Sequence, residues 1–169
     1  MSRKQEKSKK SYIVPLLIVV FLLAALTMIW VLCNLKSDKM DTFTPPPFET
    51  EAVDGVPTVS EYLGYTELYQ EGMAYRVSIC GVVTMKEEQA RVYFTNAESN
   101  TKYLKLRILD EQDQILGETG LLKPGQYVEW VQLSERLEPG TNIRLKIMGY
   151  EPETYESAGS VVLRVTIGA

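Results

Sequence analysis

The sequence predicts an all-β protein: an immunoglobulin-like antiparallel sandwich of about seven strands, preceded by one N-terminal transmembrane helix and a proline-containing linker. Three observations lead there. Residues 11–35 carry no charge, a proline-rich stretch follows, and a period-two alternation of apolar and polar residues returns through the rest of the chain.

From Ile13 to Leu32 the chain reads IVPLLIVVFLLAALTMIWVL. A helix rises about 1.5 Å per residue, so about twenty such residues match a hydrocarbon core of about 30 Å. A transmembrane helix is therefore expected over residues 13–33, with the lipid bilayer as its partner. Pro15 falls in the first turn of that span, where its missing N–H is harmless, and Tyr12 and Trp30 flank it as interfacial aromatics do. A cleaved signal peptide would show a shorter apolar region followed by small residues. A lipoprotein acylated at Cys33 would carry a small residue where Leu32 stands, and neither pattern is present.

Ahead of the apolar run, Arg3, Lys4, Lys7, Lys9 and Lys10 face Glu6 alone, a local charge of +4. This basic tail, residues 1–12, is expected to stay in the cytoplasm, which places the carboxyl-terminal domain outside the plasma membrane. With a formal net charge of −4 for the whole chain, −8 remains for everything after the tail. An acidic surface of that kind is expected to repel nucleic acid phosphates and anionic lipid, so no nucleic-acid partner is predicted. Histidine is absent, which removes the commonest general base, proton shuttle and metal ligand. Of the two cysteines, Cys33 ends the apolar run and Cys80 sits in a strand pattern, so no intrachain disulfide is expected. Cys80 lies on the polar side of its alternation and reads as a half-buried thiol.

Pro45, Pro46, Pro47 and Pro57 interrupt a stretch without periodicity, so residues 34–58 are expected to form an extended linker. Within a lead-in over residues 59–74, Tyr62, Leu63, Leu68 and Tyr69 have loosely helical spacing and precede Gly72, which suggests a short helix. The sandwich is expected over residues 75–169. Its strands are marked by Tyr75, Val77, Ile79 and Val83, then by Leu104, Leu106 and Ile108. The same alternation returns in Ile143, Leu145 and Ile147, and in Val161, Leu163, Val165 and Ile167. Between them, Arg91–Asn96, Gln114–Glu118 and Tyr127–Leu133 complete the set; a closed barrel is the runner-up architecture. Lys123-Pro124-Gly125-Gln126 and Glu138-Pro139-Gly140-Thr141 have the proline and glycine placement of type II turns. Asp110-Glu111-Gln112-Asp113 reads as a polar hairpin loop.

Few residues point to chemistry. The Asp110–Asp113 loop lacks the glycine and the distant glutamate of a calcium-binding loop, so no metal is predicted. Glu151, Glu153 and Glu156 would need a cleft between them to act as a glycosidase pair. No P-loop, dinucleotide fingerprint, CxxC or activated serine occurs, so no cofactor and no catalytic residue is predicted. Among Tyr127, Trp130, Tyr150 and Tyr155, the candidates for partner binding are Trp130 and Tyr155, because an exposed aromatic beside carboxylates anchors proteins or stacks on sugars.

From Glu71-Gly72-Met73 onward the chain resembles a group of small, uncharacterised membrane-anchored or secreted proteins of Gram-positive bacteria with one immunoglobulin-like sandwich domain. The resemblance rests on Asn100-Thr101-Lys102-Tyr103-Leu104, on Gly117-Glu118-Thr119-Gly120-Leu121-Leu122-Lys123-Pro124-Gly125, and on Leu137-Glu138-Pro139-Gly140-Thr141. These are strand and turn signatures, so what the resemblance implies is architecture and an extracytoplasmic location. Where the group commonly has a tyrosine two residues after the glycine matching Gly140, this chain has Asn142.

The expected function is a non-enzymatic, membrane-anchored extracytoplasmic interaction module that binds a protein or cell-wall partner. The alternatives are a structural subunit of an envelope-spanning secretion or conjugation apparatus and, third, a wall-polymer hydrolase built on Glu151, Glu153 and Glu156.

Overall fold

A computed structural model describes residues 6–34, 43–69 and 72–169. They form two compact units, Met1–Phe43 and Thr44–Ala169.

The first unit is one helix, α1 (Glu6–Asn34). It starts within the basic tail, so Pro15 lies inside the helix and not in its first turn. Side chains are described from Val14 to Trp30, and the large apolar ones point outward on every side of the helix. Among the described residues no helix is long and apolar enough to cross a membrane. The uncharged run of the sequence, residues 11–35, extends past the described side chains at both ends. Cys33 lies outside them.

The second unit is built from β1 (Val53–Asp54), β2 (Tyr65–Leu68), β3 (Val77–Cys80), β4 (Thr84–Lys86), β5 (Gln89–Asn96), β6 (Tyr103–Leu109), β7 (Ile115–Glu118), β8 (Gln126–Gln132), β9 (Asn142–Tyr150) and β10 (Ser157–Thr166). All their pairings are antiparallel. A six-stranded sheet has the order β1-β8-β5-β3-β2, with β4 also on β5, and a four-stranded sheet has the order β10-β9-β6-β7. The chain passes between the sheets at β5–β6, β7–β8 and β8–β9, so both are needed to close one core. That core takes the alternate residues of facing strands: Ala90, Val92 and Phe94 from β5, Leu104, Leu106 and Ile108 from β6, and Ile143, Leu145 and Ile147 from β9. It is a β-sandwich, as the period-two alternation requires. Seven of the ten strands fall where the sequence placed them, and the other three are the short β1, β2 and β4.

Two segments expected to lie outside the sandwich are part of the domain. Residues 44–58, the second half of the predicted linker, lie on its surface. Leu121 donates its N–H to the carbonyl of Pro47 at 2.9 Å, Glu49 donates to that of Leu121 at 3.0 Å, and β1 pairs with β8. Gly120 is required there, because any β-carbon at that position would collide with the backbone of Phe48 and Glu49. The lead-in forms one 3-10 turn, Glu61–Leu63, and then β2 instead of a longer helix. Its turn drops Leu63 onto the outer side of the six-stranded sheet, where Leu63, Cys80 and Tyr93 make a second small core with Val59, Tyr65 and Tyr127 around it. Cys80 is thus fully buried and free, against the expected half-buried thiol, because a segment outside its own strand covers it.

Both proline-glycine turns form. Gln126 N–H meets the Lys123 carbonyl at 3.2 Å and Thr141 N–H that of Glu138 at 3.1 Å, with Gly125 and Gly140 at φ of 80° and 89°. Asn142, at the position of the group's tyrosine, bonds Thr166 at 2.9 Å. A tyrosine elsewhere reaches strand backbone through the core: the Tyr75 hydroxyl lies 3.2 Å from the carbonyl oxygens of Ile147 and Gly159. Its ring lies over Gly149, where a β-carbon would strike it. Gly149→Ala should therefore destabilise the protein by about 1–3 kcal/mol, the usual cost of overpacking a filled core, read as a lower denaturation midpoint with unchanged cooperativity.

Candidate functional site

The described surface of the domain presents two outer sheet faces with different chemistry. On the six-stranded sheet, β5 carries a bulge: Arg91 pairs with Trp130 and Phe94 with Val128, so Val92 and Tyr93 together oppose Glu129. Tyr93 takes a left-handed φ of 46° there. The extra residue lets Val128 and Val131 both enter the core, and Glu129 and Trp130 between them both face outward. This answers which side Trp130 takes, a question its strand's sequence leaves open because apolar residues occur on both faces.

Trp130 is half-buried, and the Arg91 guanidinium lies 5.1 Å from its ring and 5.2 Å from that of Tyr93. Glu129 accepts hydrogen bonds from Arg91 Nε at 2.8 Å and from the Tyr93 hydroxyl at 2.9 Å. Burial, followed by the hydrogen bond to Glu129, pushes the Tyr93 phenol above its ordinary pKa, so it stays a donor. The cluster is internally satisfied and leaves Trp130 at the rim of a groove of about 540 Å³ beside Glu49, Val53 and Tyr127.

Tyr155 belongs to a different cluster. It sits with φ of 57° in the turn between β9 and β10, its ring 6.2 Å from that of Tyr103, which in turn meets Phe48 edge-on at 5.1 Å. Sequence reasoning named Trp130 and Tyr155 together, and they are not neighbours. Glu151, Glu153 and Glu156 occupy the same turn as Tyr155. Glu151 is held by Lys102 at 2.6 Å, and its N–H donates to the Glu156 carbonyl at 2.9 Å. The Asp110–Asp113 loop is likewise closed on itself: Asp110 Oδ1 accepts from the N–H groups of Gln112 and Gln114, both at 2.8 Å, and Asp113 pairs with Arg144.

The four-stranded sheet holds the feature that sequence reasoning missed. Core-facing Leu104, Leu106 and Ile108 alternate with Lys105 and Arg107; Ile143, Leu145 and Ile147 alternate with Arg144 and Lys146; Leu163 and Val165 flank Arg164. Each cation is therefore on the outer side of its strand, but Lys105 is buried there, at 5 % exposure, and held by Glu118. Register aligns them: Arg164 is opposite Arg144, Lys146 is opposite Arg107, and Lys105 is opposite Met148. The four that reach the surface, Arg164, Arg144, Lys146 and Arg107, form a staircase that moves from β10 to β9 to β6, about 12 Å from end to end at standard strand spacings.

Directly opposed like charges destabilise a sheet, and partners relieve only part of the cost. Glu118 accepts from Lys105 Nζ and Arg107 Nε, each at 2.7 Å, and Asp113 takes Arg144 at 2.8 Å. Lys146 and Arg164 have no ion pair among the described residues. Beside Arg164 lies a depression of about 430 Å³, lined by Arg144, Asn142, Thr166 and Glu111. Residues 44–169 contain eleven Lys and Arg against nineteen Asp and Glu, a balance of −8, yet five of those cations share this one face.

No protein-family model, curated protein or solved structure matches the chain. The site's chemistry therefore rests on its own geometry.

Burial alone would raise the Glu118 carboxyl, but the hydrogen bonds and charges of Lys105 and Arg107 outweigh it and hold the group below the ordinary carboxylate range. Because the folded value lies below the unfolded one, the stabilisation is complete above pH of about 4.3 and is lost as pH falls through the folded value. Glu118→Gln should therefore lower the melting temperature at pH 7, and the gap to the parent should close below about pH 4. Burial, opposed by the nearby Arg91 charge, pushes the Cys80 thiol up to about 11. In a Cys33→Ser background, a thiol reagent at pH 8 should label native Cys80 at least about 100-fold more slowly than the denatured chain.

Proposed function

We propose that this chain is a non-enzymatic interaction module, anchored in the plasma membrane by α1, whose extracytoplasmic immunoglobulin-like sandwich binds a protein or cell-wall partner through an outer sheet face. One observation carries the anchoring. The large side chains of α1 stand exposed all around it, Leu17 at 62 % and Phe21 at 74 %, while both core clusters of the domain are made of its own residues. A helix apolar on every side needs protein or lipid around it, and the basic tail ahead of it favours an amino terminus inside.

The immunoglobulin-like reading is supported by strand order. If β3, β5, β6, β7, β8, β9 and β10 are taken as strands A, B, C, C′, E, F and G, the sheets become A-B-E and C′-C-F-G. It is also what the resemblance to small Gram-positive surface proteins implies. The interaction reading is supported by the cationic face, whose like-charge oppositions cost stability and are only partly offset within the fold.

The second reading, a structural subunit of an envelope-spanning secretion or conjugation apparatus, is favoured by β10. This strand is ten residues long and ends the four-stranded sheet, and no described strand pairs along its outer edge before the Ile167–Val83 bridge that follows it.

Protease added to intact cells should digest the sandwich and spare the basic tail. A carboxyl-terminal domain that stays protected until lysis would overturn the topology.

A further inference from the structure

We propose that the cationic staircase on the four-stranded sheet is a binding site for a linear, phosphate-bearing polyanion that lies diagonally across β10, β9 and β6. This deepens the interaction-module reading and rests on it. The register places Arg164, Arg144, Lys146 and Arg107, which reach the surface, in sequence along that diagonal, with Lys105 buried at its end. Neighbours are about 5 Å apart across strands and about 7 Å apart along one strand, so a flexible chain whose phosphates are spaced at or below those distances sets an anion against each surface cation.

Three features select the ligand. Lys146 and Arg164 have no ion pair among the described residues, so their charges are available to a partner. Three of the four surface cations are arginines, whose flat guanidinium presents paired donors to phosphate oxygens. The stripe is narrow and flanked by carboxylates: Glu118 on the β7 side, Asp113 against Arg144, and Glu111 at the rim of the depression, where it takes the Asn142 amide at 3.5 Å. Those flanks, on a domain of net −8, tolerate a single polymer strand but repel a plane of anionic lipid headgroups.

The test uses the full-length chain in neutral detergent micelles, with labelled inorganic polyphosphate as the probe and binding followed by anisotropy over a range of salt. Binding is expected at low ionic strength. The double variant Lys146→Gln with Arg164→Gln should weaken it and flatten the salt dependence by about 1.4 log units per log unit of salt, about 0.7 for each cation removed. Each single variant should give half that change. Arg136→Gln, in the loop between β8 and β9, should leave binding unaltered. The proposal is overturned by absence of binding at low salt, by equal loss in Arg136→Gln, by an unchanged double variant, or by preference for polyglutamate or for phosphatidylglycerol vesicles over polyphosphate. None of these outcomes depends on which side of a membrane the domain occupies, so this failure and a failure of the protease experiment are distinguishable.

Discussion

The pairing of β9 with both β6 and β10 is the constraint on which the rest of the domain depends. It is the longest continuous ladder in the molecule, running from Tyr103–Tyr150 to Leu109–Arg144 on one side and from Ser160–Met148 to Thr166–Asn142 on the other. Because successive side chains in a strand point to opposite faces, one register assigns every residue of the three strands to core or solvent at once. A slip of one residue would turn Ile143, Leu145 and Ile147 outward and bury Arg144 and Lys146. The hydrophobic penalty for that error keeps the cations aligned, so the staircase is a by-product of core formation before it is anything else.

The opposite sheet manages its outer face differently. It covers part of that face with its own chain, dropping Leu63 over Cys80 and Tyr93, and it satisfies the remainder with an Arg91–Glu129–Tyr93 cluster against Trp130. The bulge at Tyr93 makes this arrangement possible, since it supplies the extra residue that lets Glu129 and Trp130 face the same way. One sheet therefore spends its outer side chains within the fold, and the other leaves Lys146 and Arg164 directed at solvent.

Net charge is a poor guide to such a surface. An acidic balance suggests a domain that repels polyanions, and for most of this domain the carboxylates do predominate. The potential felt by a bound chain, however, is set by charges within about 8–10 Å of it at physiological salt. On the four-stranded face neighbouring cations lie within that distance of one another, with Glu118, Asp113 and Glu111 at the margins.

Much of the architecture was legible in the sequence alone. Alternating apolar residues marked four strands because a half-buried strand has period two, three more were placed in the stretches between them, and the two proline-glycine turns were readable because positive φ at Gly125 and Gly140 demands glycine. The basic tail and the uncharged run were equally plain. Local pattern could not show that residues 44–58 would dock on the domain, that Leu63 would cover Cys80, or that Trp130 would face outward, since each follows from a partner distant in the chain. The same limit hid the staircase. Lys105, Arg107, Arg144, Lys146 and Arg164 each stood visibly on the polar side of a strand, but only the sheet order brings β6, β9 and β10 side by side. The sequence by itself determined which alternating apolar residues of the strands enter the main core, because that depends on their own hydrophobicity and spacing. Tertiary structure decided which charges become neighbours, because adjacency across strands is a property of the pairing and not of any one segment.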